Sequence, residues 1–140
     1  MARRTAVIDT CFWIALCVSN DQYHQQALAK EELLYSLNLI VPWPCLYETL
    51  KTRFVKNPMS VRAFERLLQR PNVELADDVK YRDAAYRETI AWALDGRPIS
   101  LVDVVIRFIL NDVNIRKDCL LTFNLPDFVD VCRKRQIEIL

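Results

Sequence analysis

Glycine is almost missing from this chain: Gly96 is the only one in 140 residues. Phosphate-cradling loops such as GxGxxG need several glycines so that backbone can approach the phosphates, and nucleotide-binding folds built on them are excluded. Histidine is equally scarce, with His24 alone. The five cysteines, Cys11, Cys17, Cys45, Cys119 and Cys132, form no CxxC pair, which argues against a zinc site of Cys/His type. They read as small buried hydrophobes. Cys11 lies beside Asp9, but no third orienting group marks it as a nucleophile. His24, three residues after Asp21, is expected to pack or hydrogen-bond between the first helices.

Charge imbalance is absent too. The formal net charge is +1, so no global field draws the protein onto nucleic acid. Contact with RNA would have to come from local clusters such as Arg3-Arg4 or Arg133-Lys134-Arg135, and the second also suits an ordinary helix C-terminus. No apolar run reaches the length of a membrane span. Ala2-Arg3-Arg4 ahead of TAVIDTCFWIALCV imitates a secretory signal. Asp9 interrupts it, however, and no small-residue cleavage site follows Val18. The expectation is a cytoplasmic protein without membrane association.

What is present is a core. Hydrophobic residues make up 52% of the chain, enough for one folded domain over residues 1–140 with no linker or repeat. Ala6 to Asp9 reads as a short buried strand followed by a helix through Cys17. Asn20 or Asp21 can cap a second helix carrying Ala27, Leu28, Leu33 and Leu34. Leu39 to Val41 is a strand, and Pro44 opens a helix through Glu48 to Phe54. Asn57-Pro58 breaks it, and Ser60 is the expected cap of the next helix, to about Gln69. Val73 to Leu75 is a short strand, and Val79 to Leu94 a long helix stopped by Asp95-Gly96. Ile99 to Leu110 is apolar almost all round. Leu120 to Phe123 and Ile137 to Leu140 are the last strands, separated by a short helix with Asp127 as its cap. This alternation predicts an α/β fold: a central parallel sheet of four or five short strands flanked by helices. Trp13, Trp43 and Trp92 are expected in the core.

Against this apolar background several polar residues stand out. Asp9 ends the first strand, and Glu48 follows LIVPWPCLY. Asp103 sits inside ISLVDVVIRFIL, and Asn124 and Asp127 follow LLTF. A carboxylate in an apolar setting costs several kcal/mol, of order 2–7 for a polar group, unless something meets it. Each residue also has an ordinary role open to it. Asp9 can cap the following helix, and Asp103 can complete a capping box with Ser100 and pair with Arg107 at i+4. Glu48 can be exposed, and Asp127 can be an N-cap. Taken together, they point to the carboxyl rim of a parallel sheet, where such folds bind ligands. A hard divalent cation would relieve their mutual repulsion and could act on a phosphodiester.

Five segments in order, VIDTCFWIAL, NDQYHQQA, PWPCLYETL, ISLVDVVIRFIL and LLTFNLPDF, resemble the PIN-domain family, and within it the VapC-type toxins of toxin–antitoxin pairs. The resemblance implies a single PIN-like domain and metal-dependent hydrolysis of RNA leaving a 5′-phosphate and a 3′-hydroxyl. By it, Asp9 and Asp103 bind Mg2+, with Mn2+ the alternative, and Glu48 completes the metal set or helps to activate water. Asn124 and Asp127 hold the outer shell or the RNA backbone. A small antitoxin and a second copy of the chain are the implied protein partners. Two positions depart from the family pattern: Cys11 stands where Ser or Asn is common, and Asn124 takes a position that is often acidic. A silent PIN module that holds RNA or protein without cleaving is the alternative reading.

Overall fold

The structure, a computed structural model, describes residues 2–140. In chain order the elements are β1 (Thr5–Ile8), α1 (Thr10–Cys17), α2 (His24–Ala29), α3 (Leu33–Ser36), β2 (Asn38–Pro42), α4 (Trp43–Thr49), α5 (Thr52–Val55) and α6 (Pro58–Leu68). They continue with β3 (Val73–Ala76), a 3-10 turn (Val79–Tyr81), α7 (Arg82–Leu94), α8 (Leu101–Asn111), β4 (Cys119–Leu121), α9 (Val129–Arg135) and β5 (Glu138–Ile139). The five strands form one all-parallel sheet of order β3-β2-β1-β4-β5. The α/β architecture anticipated from the alternation is the one observed.

Residues along a strand point alternately to its two faces, and both faces here are covered. Ala6, Ile8, Leu39, Val41, Cys119 and Leu121 face one core layer, filled by Phe12, Trp13 and Leu16 of α1 and by Phe64 and Leu67 of α6. Val7, Ile40 and Leu120 face the other, which holds Val104, Val105, Ile106, Ile109 and Leu110 of α8 with Phe128 and Val131. The near-continuous apolar strands therefore reflect burial on two sides. Among the described residues no helix is long and apolar enough to cross a membrane.

Several boundaries differ from the sequence reading. The helix expected from Pro44 through Phe54 is two pieces, because the chain turns at Leu50 and Lys51. Asn57, not Ser60, caps α6: its Oδ1 accepts from the amides of Met59 and Ser60 at 3.2 and 3.3 Å. Ser60 instead donates its hydroxyl to the Cys17 carbonyl at 2.8 Å, tying α6 to the end of α1. Asp21 holds the Tyr23 amide at 2.8 Å in a turn before α2, and neither it nor Asn20 is the cap. Asp127 is not the cap of α9, which starts after Phe128. Trp13 is buried, but Trp92 is only half-buried. Trp43 is 42% exposed because α4 turns it outward. Cys45, Cys119 and Cys132 are buried as expected, whereas Cys11 and Cys17 are half-buried.

Asn57→Ala is expected to lower stability by about 1 kcal/mol through loss of the cap, measured as a shift in urea midpoint at unchanged slope. An unchanged midpoint would mean that α6 does not depend on Asn57.

Candidate metal and RNA site

The chain leaves β1 for β2 on one side, while β4 pairs with β1 on the other. The connections therefore diverge outside the carboxyl ends of β1 and β4, where parallel sheets open a crevice. Asp9 follows β1 directly and is 4% exposed. It caps α1, with Oδ1 accepting from the Thr10 amide at 2.7 Å. Its Oδ2 accepts from the Thr122 hydroxyl at 2.8 Å and from the Cys11 thiol at 3.2 Å. Capping and a place in the site are not alternatives here: one carboxylate does both.

Thr122 and Asn124 come from the segment leaving β4. Thr122 is buried and accepts from the Asn124 amide at 2.9 Å, which turns the chain back over the rim. Phe123, between them, stacks on Tyr23 with centroids 4.6 Å apart and on Phe12 at 5.8 Å. That aromatic sandwich presses the segment onto the first two helices. The side-chain amide of Asn124 donates to Asp127 Oδ2 at 2.8 Å and to Asp103 Oδ2 at 3.3 Å. Asp103 stands in the first turn of α8, whose Ser100 N-cap accepts from the Asp103 amide at 3.2 Å. Only that half of the expected capping box forms, and the Asp103 carboxyl turns to the cluster. Arg107 is not its partner, being held by Asp130.

Glu48, half-buried near the end of α4, adds its negative charge at Asp103. It also lines a cleft of about 630 Å³ whose wall carries Asn20, Lys51, Arg53 and Phe54. The structure thus brings Asp9, Asp103, Asn124 and Asp127 into one hydrogen-bonded neighbourhood, with Glu48 at its edge.

The electrostatics follow from the crowding. Burial holds the Asp9 carboxyl above the ordinary carboxylate range, although Thr122, Cys11 and Thr10 favour its charged form. Asp103 is pushed up to about 8, first by burial and then by the charge of Asp9 and by Asp127, close enough to share a proton. Burial and the nearby Asp9 push the Cys11 thiol up to about 12, so it is a hydrogen-bond donor and not a thiolate nucleophile. Among the described residues no lysine or arginine forms an ion pair with Asp9, Glu48, Asp103 or Asp127. His24 is structural, its Nδ1 lying 2.7 Å from the Ala15 carbonyl. In the basic run, Arg135 is tied to Asn111 at 2.8 Å.

The donor set consists of hard oxygens and suits magnesium or manganese. Among the described residues no three Asp, Glu, Cys or His side chains converge closely enough to cage an ion. An ion that takes one or two carboxylates and keeps several waters, as magnesium does, would not need such a cage.

Two contributors escaped the sequence reading. Thr122 looked like one more residue of an apolar strand, and its only signal was a hydroxyl at a position destined for burial. Cys11 was noted beside Asp9 and as a departure from the family's Ser or Asn, but its contacts were not foreseen: its thiol donates to Asp9 and accepts from the Phe123 amide at 3.4 Å.

No protein-family model matches the chain, and no curated protein matches its sequence significantly. Solved structures do match its fold. VapC20 of Mycobacterium tuberculosis, described as a sarcin-ricin loop cleaving toxin, superposes with a TM-score of 0.65 at 18% identity, covering 89% of this chain and 94% of that one. VapBC2 of Rickettsia felis, solved bound to a DNA fragment from their promoter, gives a TM-score of 0.57 at 15% identity over 97% of both chains. The five-stranded parallel sheet with helices on both faces is therefore the PIN-like fold of the VapC proteins, as the sequence resemblance implied.

A native pKa of about 8 at Asp103, against an unfolded value near 4, means that the folded state binds more protons across that interval. Stability of the metal-free protein is therefore expected to fall as pH rises from about 4 to about 8, then to level off. Asp103→Asn should lack this contribution. Urea midpoints across that range check it, and equal slopes in both proteins would refute a protonated native Asp103.

Proposed function

We propose that this chain is a divalent-metal-dependent endoribonuclease, the toxin of a toxin–antitoxin pair acting in the cytoplasm. The observation that carries the reading is the carboxylate cluster at the sheet's switch point, with which no lysine or arginine among the described residues forms an ion pair. The likeness in fold to VapC20, a sarcin-ricin loop cleaving toxin, supports the choice of RNA as substrate.

Asp9 and Asp103 would hold Mg2+, or Mn2+, with Glu48 either completing the set or helping to activate the attacking water. When bound, the ion polarises the phosphodiester and lowers the pKa of a neighbouring water. The chain's own residues prepare the rest. Thr10, Thr122 and Cys11 fix the Asp9 carboxylate in one orientation, so no reorganisation is needed when charge develops nearby. Asp103 must release its proton before it can serve as a ligand, which makes affinity rise with pH through the neutral range. Asn124 bridges Asp103 and Asp127 and keeps the two carboxyls in register. Glu48 lines the cleft and, in its second role, would accept a proton from the attacking water. Lys51 and Arg53 line the same cleft and would neutralise phosphates of the bound strand.

A small antitoxin and a second copy of the chain belong to the same reading. Exposed Tyr47, Tyr86, Ile90, Leu94 and Leu101 offer apolar surface for protein contact. A silent module that holds RNA or a protein partner is the competing reading. The gathering of Asp9, Asp103 and Asp127 at one rim, with Glu48 at its edge, favours the enzyme.

The test is cleavage of total RNA by the purified protein with Mg2+, with Mn2+ and with chelator. Wild-type protein is expected to cut only with metal. Asp9→Asn and Asp103→Asn should each lose roughly 100-fold or more of the rate while keeping the native circular dichroism spectrum. Cutting by either variant at the wild-type rate would refute the assignment. Absence of cutting with either metal would favour the silent module.

A further inference from the structure

Arg107 lies one helical turn after Asp103, and the two side chains do not pair. Its guanidinium spans from α8 to the loop before α9. Nη1 and Nη2 donate to the two carboxylate oxygens of Asp130 at 2.7 and 2.8 Å, a bidentate fork. Nη1 also donates to the main-chain carbonyl of Asp127 at 2.7 Å. The indole of Trp92 from α7 lies 5.0 Å from the guanidinium carbon, within cation–π reach. Three helices therefore converge on one arginine, and among the described residues the one main-chain hydrogen bond of its guanidinium is to Asp127. The Asp127 carboxyl continues the chain of contacts: it accepts from Asn124, which also donates to Asp103.

We infer that Arg107 is a positioning residue for the site: clamped by Asp130 and Trp92, it fixes the backbone at Asp127 and thereby the Asn124–Asp103 arrangement that receives the metal. Two features separate this from a simple helix-to-helix tie. Asp130 is an open surface carboxylate, its side chain 64% exposed, whereas Arg107 is mostly enclosed at 17%. A pair with one partner in solvent adds little stability by itself. Its value lies in direction. A planar fork held on two edges leaves the guanidinium a single orientation, and in that orientation it meets the Asp127 carbonyl. Lysine, with one point charge on a flexible stem, could neutralise Asp130 without holding Asp127.

The inference rests on the metal-site reading for its consequence but not for its geometry, and the experiment separates the two. The side-chain amide resonances of Asn124, assigned through Asn124→Asp, are followed by NMR in the full chain without metal. Mn2+ affinity is measured by calorimetry on the same samples. The variants are Arg107→Lys, Arg107→Ala and Asp130→Asn; the last changes an exposed residue and secures a folded sample. Arg107→Ala is expected to shift and broaden the Asn124 amide signals and to weaken Mn2+ binding about tenfold or more. Asp130→Asn should do so to a lesser degree. Arg107→Lys should fail to restore either property although its charge is kept. If the variants lower only the melting temperature and leave the Asn124 signals and Mn2+ affinity unchanged, Arg107 is a structural tie and the inference is wrong. If wild-type protein binds no Mn2+ while the Asn124 signals still respond, the positioning role stands and the metal reading falls.

Discussion

The structure is organised around a repulsion. Asp9, Asp103 and Asp127, with Glu48 nearby, bring like charges to the place where a parallel sheet changes direction, and among the described residues no arginine or lysine pairs with them. Such crowding is unfavourable by itself and persists only because the surrounding structure holds it. Much of the local architecture is that support. The α1 N-terminus, Thr122 and Cys11 receive Asp9, Asn124 is shared between two carboxyls, and the Phe123 stack holds the β4 exit in place. Relief by protonation, as at Asp103, is one resolution of the conflict. A divalent cation, as in the proposed function, would be another, and it would also supply chemistry for a phosphodiester.

How the fold delivers these groups explains why the site needs so little special sequence. A parallel sheet places every strand's carboxyl end on one side, so a residue just after β1 and one just after β4 meet without a dedicated loop. No glycine-rich turn is required, in keeping with a chain that has one glycine, used at a φ of +79° to end α7. Among the described residues the only other positive φ belongs to Gln136, at 57°, where α9 ends and β5 begins.

Much of this was legible in the sequence because burial on both sides makes strands and α8 nearly free of polar residues. Against that background Asp9 and Asp103 are conspicuous, and their neighbourhood follows from strand order. What was illegible depended on distance in space. Arg107 looked like the i+4 partner of Asp103, and only the position of α9 reveals that Asp130 takes it. Asp127 looked like a helix cap because the true start, after Phe128, has no side-chain signal. Ser60 and Asn57 exchanged roles for a similar reason: both are good caps locally, and the nearby Cys17 carbonyl decides between them. Trp43 was misplaced because an aromatic residue beside prolines resembles core until the helix direction is known.

The hydrogen bond between Thr122 and Asp9 joins residues 113 positions apart, and β1 remains without its β4 neighbour until nearly the whole chain is made. Such long-range pairing comes late in folding, because a large loop must close before any contact rewards it. During synthesis, a ribosome carrying the first hundred residues of this chain displays Asp9 and Glu48 but lacks the strand that aligns them. The fold thus has a built-in delay: the rim that gathers these carboxylates stays incomplete until β4 has joined β1.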